Sequence, residues 1–344
     1  MESNESKLIH KPEELRVRDN YEKYYWRIMC GRILKDWRLY LMLLPLLLVF
    51  LLWRYLPLYE LVAAFKTNDP TQRVLNRDFV GFTYFYSLMF GADASFFWLA
   101  FRNTFLLAFY GLLFGFPVPI VLALLFSEIN SNGYRSLLQI ATYLPRFVST
   151  VVVTTIIHML LSRPSPFSEP GVLAQFLGMI RVIPEEHVRQ GIMYLPQYFR
   201  SVFQISGIWE AAGFGSIVYF AAIIGISPAS YEAASIDGAT KIDKIRHVVL
   251  PSILSTITIM LIMNVGQLLT VGFERVLLLM NNETYDTAEV VSTYVFSRAG
   301  IQAGGQGANQ ALASAADMIN AVASMLLVIG ANMISKRASN TSLY

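Results

Sequence analysis

The long apolar stretches of this sequence enclose a few side chains able to carry charge or share hydrogen bonds: Arg146, His158, Glu210, Asn264 and Gln267. Ionisable groups at such depth are costly and face a bundle interior or a wet cavity. Arg146 and Glu210 have opposite signs and lie in different stretches. An ion pair between them would fix packing or line a path for a polar solute, and the residues alone leave both open. Asn264 and Gln267 stand three apart, so on a helix they share a face, where amides bond sugar hydroxyls or join two helices. Arg146, Glu210, Asn264 and Gln267 are therefore the substrate-path candidates. Catalytic patterns are missing. No Gly-Lys pair exists for a Walker A loop, there is no His-Glu-x-x-His or Gly-x-Ser-x-Gly, and His10, His158, His187 and His247 are scattered. One cysteine, Cys30, excludes a disulfide framework and a cysteine-based zinc site. The expectation is no catalytic residue and no metal site.

A second group of residues is informative through its spacing. From Ser227 the chain reads Ser-Pro-Ala-Ser-Tyr-Glu-Ala-Ala-Ser-Ile-Asp-Gly-Ala-Thr, ending at Thr240. Ser227 is suited to capping and Pro228 to the first helical turn, where its missing N–H is not needed. Ala233 and Ala234 keep one side of the short helix low, so that another protein can approach closely, and Glu232 places a charge beside it. Gly238 fits a left-handed stop, and Thr240 with Asp243 forms a capping box for a second helix running to Leu250-Pro251.

The elements that must position these groups follow from composition. Charged residues are 15% of the 344 and hydrophobic residues 55%, against roughly 25% charge in soluble domains. This excludes an ordinary cytosolic enzyme and a disordered chain. With 27 Lys and Arg against 24 Asp and Glu, the charge is too dispersed to suggest nucleic acid. About 20 apolar residues cross a bilayer as a helix, and six stretches qualify: 40–57, 98–126, 137–161, 202–226, 248–271 and 311–334. The expected fold is all-α, a polytopic membrane protein with six transmembrane helices.

Lys23, Arg27, Arg32, Lys35 and Arg38 precede the first stretch. Lys241, Lys244 and Arg246 follow the fourth, and Lys336 and Arg337 the sixth. Such flanking cations resist translocation, so both termini are expected in the cytoplasm. The chain divides into a leader (1–38), a membrane domain (39–334) holding the loop 227–251, and a tail (335–344). Tyr24, Tyr25, Trp26, Met29, Ile33 and Trp37 mix with cations in the leader, as in a helix in the headgroup layer or a basic arm. Val172, Leu173, Phe176, Leu177 and Ile180 predict a short helix on the outer interface. The segment from Phe273 to Gln310, which ends near Gly304, Gly305 and Gly307, reads as a flexible loop.

Glu232-Ala233-Ala234, then Gly238 four positions on and Leu250-Pro251 twelve beyond the glycine, resembles the EAA loop of ABC importer permeases. Val248 replaces the usual Ile. Within the sugar permeases the chain is similar to the polysaccharide and lipoprotein type. The residues that carry this are Leu39 to Pro45, Ala64-Phe65-Lys66, Arg102-Asn103-Thr104, Tyr143-Leu144-Pro145, Ile208-Trp209, Gly272-Phe273-Glu274 and Ser342-Leu343. The resemblance implies a type I importer permease fold in the cytoplasmic membrane. It also implies ATPase subunits that dock at Glu232, Ala233, Ala234, Asp237, Gly238, Leu250 and Pro251. Further implied partners are a second, different permease and an extracytoplasmic solute-binding protein that delivers a sugar or oligosaccharide. No cofactor would bind this chain, ATP and magnesium sitting on the partner ATPase. An ion-coupled secondary transporter using Glu210, or an intramembrane transferase using Glu210 with His158, are the rival classes. Neither explains the Glu-Ala-Ala to Leu-Pro spacing.

Overall fold

The computed structural model describes residues 35–165, 169–300 and 308–339. The leader helix, apart from Trp37, the glycines 304, 305 and 307, and the Ser342-Leu343 pair lie outside these. Contacts divide the chain into two units, Met1–Glu60 and Leu61–Tyr344. The first contains α1, Trp37–Phe50, continued by a π turn, Leu51–Tyr55. Apart from Arg38 and Arg54 its side chains are hydrophobic, and they are exposed, as a lipid-facing helix requires.

The second unit is helical throughout, with an isolated bridge between Lys66 and Phe79. After α2 (Thr83–Phe90), a 34-residue helical run, Ala94–Ser127, combines α3 (Ala94–Tyr110), a π turn (Gly111–Gly115) and α4 (Pro117–Ser127). The expected third span is broken. Helix α5, Asn132–Tyr143, tightens into a 3-10 turn, Leu144–Phe147, and α6, Thr150–Leu160, leaves at 99°. Pro145 takes the first turn of that 3-10 segment, Val148 and Ser149 are extended, and the Ser149 hydroxyl accepts from the Val151 N–H to begin α6. After α6, the helix α7, Val172–Met179, is the expected short helix, followed by α8, Glu185–Gln190.

Helix α9, Pro196–Ile224, is 29 residues long. Then come α10, Pro228–Ile236, and α11, Lys241–Lys244. The expected fifth span is also bent, by 62°, between the run Lys241–Ser252, which ends in α12 (Leu250–Ser252), and α13, Leu254–Gly266. The stretch expected as a flexible loop instead holds α14 (Phe273–Leu279), α15 (Tyr285–Ala288) and α16 (Val291–Arg298). Helix α17, Gln310–Ser339, ends the described chain.

Three π turns share a cause. The π turns Leu51–Tyr55, Gly111–Gly115 and Ile245–Val249 each end two residues before a proline: Pro57, Pro117 and Pro251. In each, the residue preceding the proline donates to a carbonyl five positions back. A proline cannot donate and its ring crowds the carbonyl four back, so the helix widens by one residue and keeps its remaining bonds internal. This is the solution available in lipid, where no water replaces a lost partner.

Packing in the second unit falls into three clusters. Leu107, Phe199, Phe203, Val276, Leu279 and Val290 join α3 and α9 to the segment Phe273–Arg298, expected on the outer side. Leu88, Phe97, Ala100, Tyr294, Leu312, Ala315 and Ala316 join α2, α3, α16 and α17, where the alanines allow close approach. Ala123, Tyr219, Ile223, Val249 and Ile253 close the end of α4 and α9 against the segment that follows α11. Gly213 in α9 is required by contact: a Cβ there would overlap the Thr142 carbonyl of α5.

Between α15 and α16 the outer segment buries Glu289, which is 2% exposed. Burial pushes its carboxyl up to about 7, against the smaller opposing pull of the Thr293 hydroxyl and Arg298. The folded value lies above the ordinary 4.5, so the folded state binds the proton more tightly. Its contribution is full below the ordinary value and is lost as pH rises through the folded one. E289Q is expected to leave the thermal unfolding midpoint of the purified protein unchanged at low pH, below that ordinary value, and to raise it above the wild-type value on the alkaline side of the folded value.

Candidate functional site

The first feature is the loop between α9 and α11. Ser227 stands at the N-cap of α10 but its side chain makes no capping bond, so the expected serine cap is replaced by Pro228 at the first turn alone. None of the nine residues of α10 is buried. Gly238 takes the left-handed conformation, φ 74°, and the Ala239 N–H closes on the Ala234 carbonyl at 2.9 Å. Thr240 and Asp243 form the capping box, with 3.0 and 3.3 Å bonds between each backbone N–H and the other's side chain. Glu232, Ala233, Asp237 and Gly238 are exposed, Ala234 is half-buried, Leu250 packs on the cluster beneath, and Pro251 is exposed.

One ion pair ties this protrusion to the bundle and one hydrogen bond braces it internally. Lys241 Nζ lies 3.2 Å from Glu128 Oε2, just beyond α4, and Lys244 Nζ of α11 donates to Ser235 Oγ of α10 at 2.8 Å. Behind α10 is a cavity of about 380 Å³ lined by residues including Arg135, Phe220, Tyr231 and Glu232. Burial there, with Glu128 nearby, raises the Tyr231 phenol. The protrusion thus has an exposed outer surface and a base fixed to α4, α9 and the start of the fifth span.

The second feature lies at the middle of α9. Glu210 is the central residue of α9, about 20 Å from either end. Its carboxylate is buried and bonds two guanidiniums: Arg146 Nη1 donates to Oε1 at 3.2 Å, and Arg275 Nη2 donates to Oε2. Arg146 comes from the break in the third span, and Arg275 from α14. The two differ in exposure, 52% for the Arg146 side chain and 16% for Arg275. Arg275 also lies over the Phe203 ring at 5.8 Å. Gly207, one turn before Glu210, makes its room: a Cβ there would stand 2.5 Å from Arg275 Nη1. Arg275 is the partner that sequence reasoning missed. It directly follows Gly272-Phe273-Glu274, and the glycine three before Glu210 was the available signal.

Asn264 is exposed near the end of α13 and its amide donates back to the Met260 carbonyl at 2.8 Å; Gln267 is exposed at the C-cap, past the last helical residue. His158 lies 3.0 Å from the Leu278 carbonyl. A further polar assembly uses the residues opening the second span. Asn103 Nδ2 donates to the carbonyls of Asp286 and Glu289 at 2.9 and 3.0 Å, Arg200 donates to Asn103 Oδ1 at 3.1 Å, and Thr104 Oγ1 accepts from the Val291 N–H. These bonds anchor the outer segment to α3 and α9.

Comparison with known proteins places this geometry. The family described as binding-protein-dependent transport system inner membrane component matches residues 115–272. Protein LplB of Bacillus subtilis (strain 168) is 33% identical over 310 residues, 90% of this chain and 92% of that protein. The polygalacturonan/rhamnogalacturonan transport system permease protein YteP of the same organism is 32% identical over 91% of this chain and 92% of its own. A crystal structure of a bacterial alginate ABC transporter in complex with alginate pentasaccharide-bound periplasmic protein contains a chain that matches with TM-score 0.78 and 39% identity, over 91% of this chain and 99% of that one.

The charge cluster yields a comparison of two variants. Removing one partner of a buried pair costs about 3 to 5 kcal/mol where the other charge is left uncompensated. R275Q, which removes the buried guanidinium, is expected to destabilise toward the lower end of that range, since Arg146 remains at 3.2 Å. R146Q is expected to cost well under half as much, because Arg275 stays in place. Thermal unfolding of the detergent-purified protein, with folded yield, checks the order; a larger loss for R146Q would invert it.

Proposed function

Because this chain belongs to the family of binding-protein-dependent transport system inner membrane components, and is the permease subunit of a sugar ABC importer, we propose that it moves oligosaccharides by alternating access driven through its exposed loop. The observation that carries this reading is the helix α10, none of whose residues is buried, standing on a base tied to α4 by Lys241 and Glu128. In this reading the ATPase docks around Glu232, Ala233, Ala234, Asp237 and Gly238, and Leu250 and Pro251 pass its displacement into the fifth span. An ATP-bound motor that binds one permease state more tightly than the other shifts the bundle toward that state.

The reading includes six spans, counting the two bent pairs as one each, with both termini and the α10 loop in the cytoplasm. The motor's ATP and magnesium belong to the partner chain, and this chain binds no cofactor. A second, different permease completes the path. An extracytoplasmic binding protein delivers the saccharide, as suggested by the bound periplasmic protein in the similar alginate transporter. Glu210, on which an ion-coupled mechanism would rest, has both carboxylate oxygens engaged by guanidiniums. His158, its partner in a transferase reading, is engaged by the Leu278 carbonyl.

Gly238 meets no atom within 4 Å of a built Cβ, so its requirement is conformational alone. A side chain at its φ of 74° costs roughly 1 to 2 kcal/mol, with asparagine the tolerated exception. G238V is expected to lose most of the saccharide-stimulated ATPase activity of the complete importer in proteoliposomes, about tenfold by that energy, and E232K, which reverses the charge at the dock, is expected to lose most of it as well, both while still inserting in the membrane. G238N should retain it. Full stimulation in both G238V and E232K would refute the docking role.

A further inference from the structure

The charge cluster at mid-depth does not balance. One carboxylate, Glu210, serves two guanidiniums, and among the described residues Arg146 forms no other ion pair. Arg275 is enclosed, so the surplus positive charge has its open edge on Arg146, whose side chain is 52% exposed. That edge sits where the third span breaks. Arg146, Phe147 and Ser149 are all exposed there, and the backbone at Val148 and Ser149 is extended rather than helical.

Non-helical backbone at membrane depth persists only inside protein or beside a water-filled cavity. An exposed arginine at this depth likewise faces a bundle interior or a wet path. Beside it, Phe147 is 75% exposed and meets Phe214 edge to face, with ring centroids 6.1 Å apart. Phe214 lies one turn beyond Glu210 on α9, on the same face. A guanidinium and two aromatic rings therefore share one patch over the buried carboxylate. A neutral sugar needs both donors and acceptors, whereas Arg146 offers donors alone and an unbalanced charge. The partner that matches it is a carboxylate, bound through charge-assisted hydrogen bonds.

We propose that Arg146 is a specificity-determining residue that reads the carboxylates of an acidic oligosaccharide, a uronate-containing chain, as it passes the break in the third span, with Phe147 and Phe214 against the apolar faces of its rings. This rests on the reading of the protein as an oligosaccharide importer and adds the charge of the cargo. Because Arg275 remains with Glu210, the proposal predicts that Arg146 is replaceable without orphaning the buried acid.

The test titrates a radiolabelled short oligouronate, and the same oligosaccharide with its carboxyls reduced to alcohols, into the complete permease and ATPase complex in nanodiscs without binding protein. The wild type should bind the acidic form at least about tenfold more tightly, the value of a charge-assisted bond. R146Q should erase that preference by weakening the acidic form alone, and R146K should restore part of it. Equal affinities in the wild type, or R146Q weakening both forms or neither, would overturn the proposal. Loss of the second permease on purification of R146Q would do the same, by assigning the guanidinium to the subunit interface. ATP-driven uptake in proteoliposomes with the binding protein separates the two readings: a complex that imports no saccharide refutes the importer reading itself.

Discussion

A carboxylate at the midpoint of a 29-residue apolar helix must be compensated before that helix can sit in lipid. Glu210 meets this constraint with two arginines drawn from elsewhere in the chain, one from the broken third span and one from α14. Its compensation thereby fixes three otherwise independent elements at one depth. The small residues of α9 serve the same end: Gly207 admits the Arg275 guanidinium, and Gly213 lets α9 approach the α5 backbone. Where hydrophobic burial gives helices no reason to associate in lipid, such close packing and polar pairing specify the arrangement.

The same economy governs the bends. Proline costs a helix a hydrogen bond, and in a bilayer that bond has no substitute in water. The π turns before Pro57, Pro117 and Pro251 keep the neighbouring bonds internal, the residue before each proline reaching one carbonyl further back. The last of these lies between the capping box of α11 and the membrane portion of the fifth span. The exposed loop is therefore joined to that span through a stretch whose hydrogen bonding is already irregular. At the other end of the unit, Asn103 and Thr104 hold the outer segment by its backbone. The loop and the segment Phe273–Arg298 thus rest on separate contacts.

The loop was readable from sequence because its signals are local. The left-handed Gly238 and the Thr240 to Asp243 box depend on residues within four positions of each other. Ser227 was the exception: proline alone opens α10. The apolar stretches were equally visible, but hydropathy does not record direction, so the 99° break in the third was read as continuity. The segment from Phe273 to Arg298 was read as loop because its helices, four to eight residues long, are too short for a hydrophobic period to register. Its burial depends on partners such as Leu107 and Phe97, far away in sequence. Arg275 was missed for the same reason. The pairing of Arg146 with Glu210 was suggested by sign and depth, while the second guanidinium needed the fold.

The claim that Glu210 and Arg275 act as a unit is tested most directly by a double-mutant cycle on the purified permease complex, comparing the thermal stabilities of E210Q, R275Q and the double variant. Removing both members leaves only the half-exposed Arg146 without its carboxylate, as E210Q alone also does, so the double variant is expected to lose less than the sum of the two single losses, by about 1 kcal/mol or more. Losses that simply add would mean that the carboxylate and the guanidinium stabilise the fold independently, and the arrangement of elements around them would need another cause.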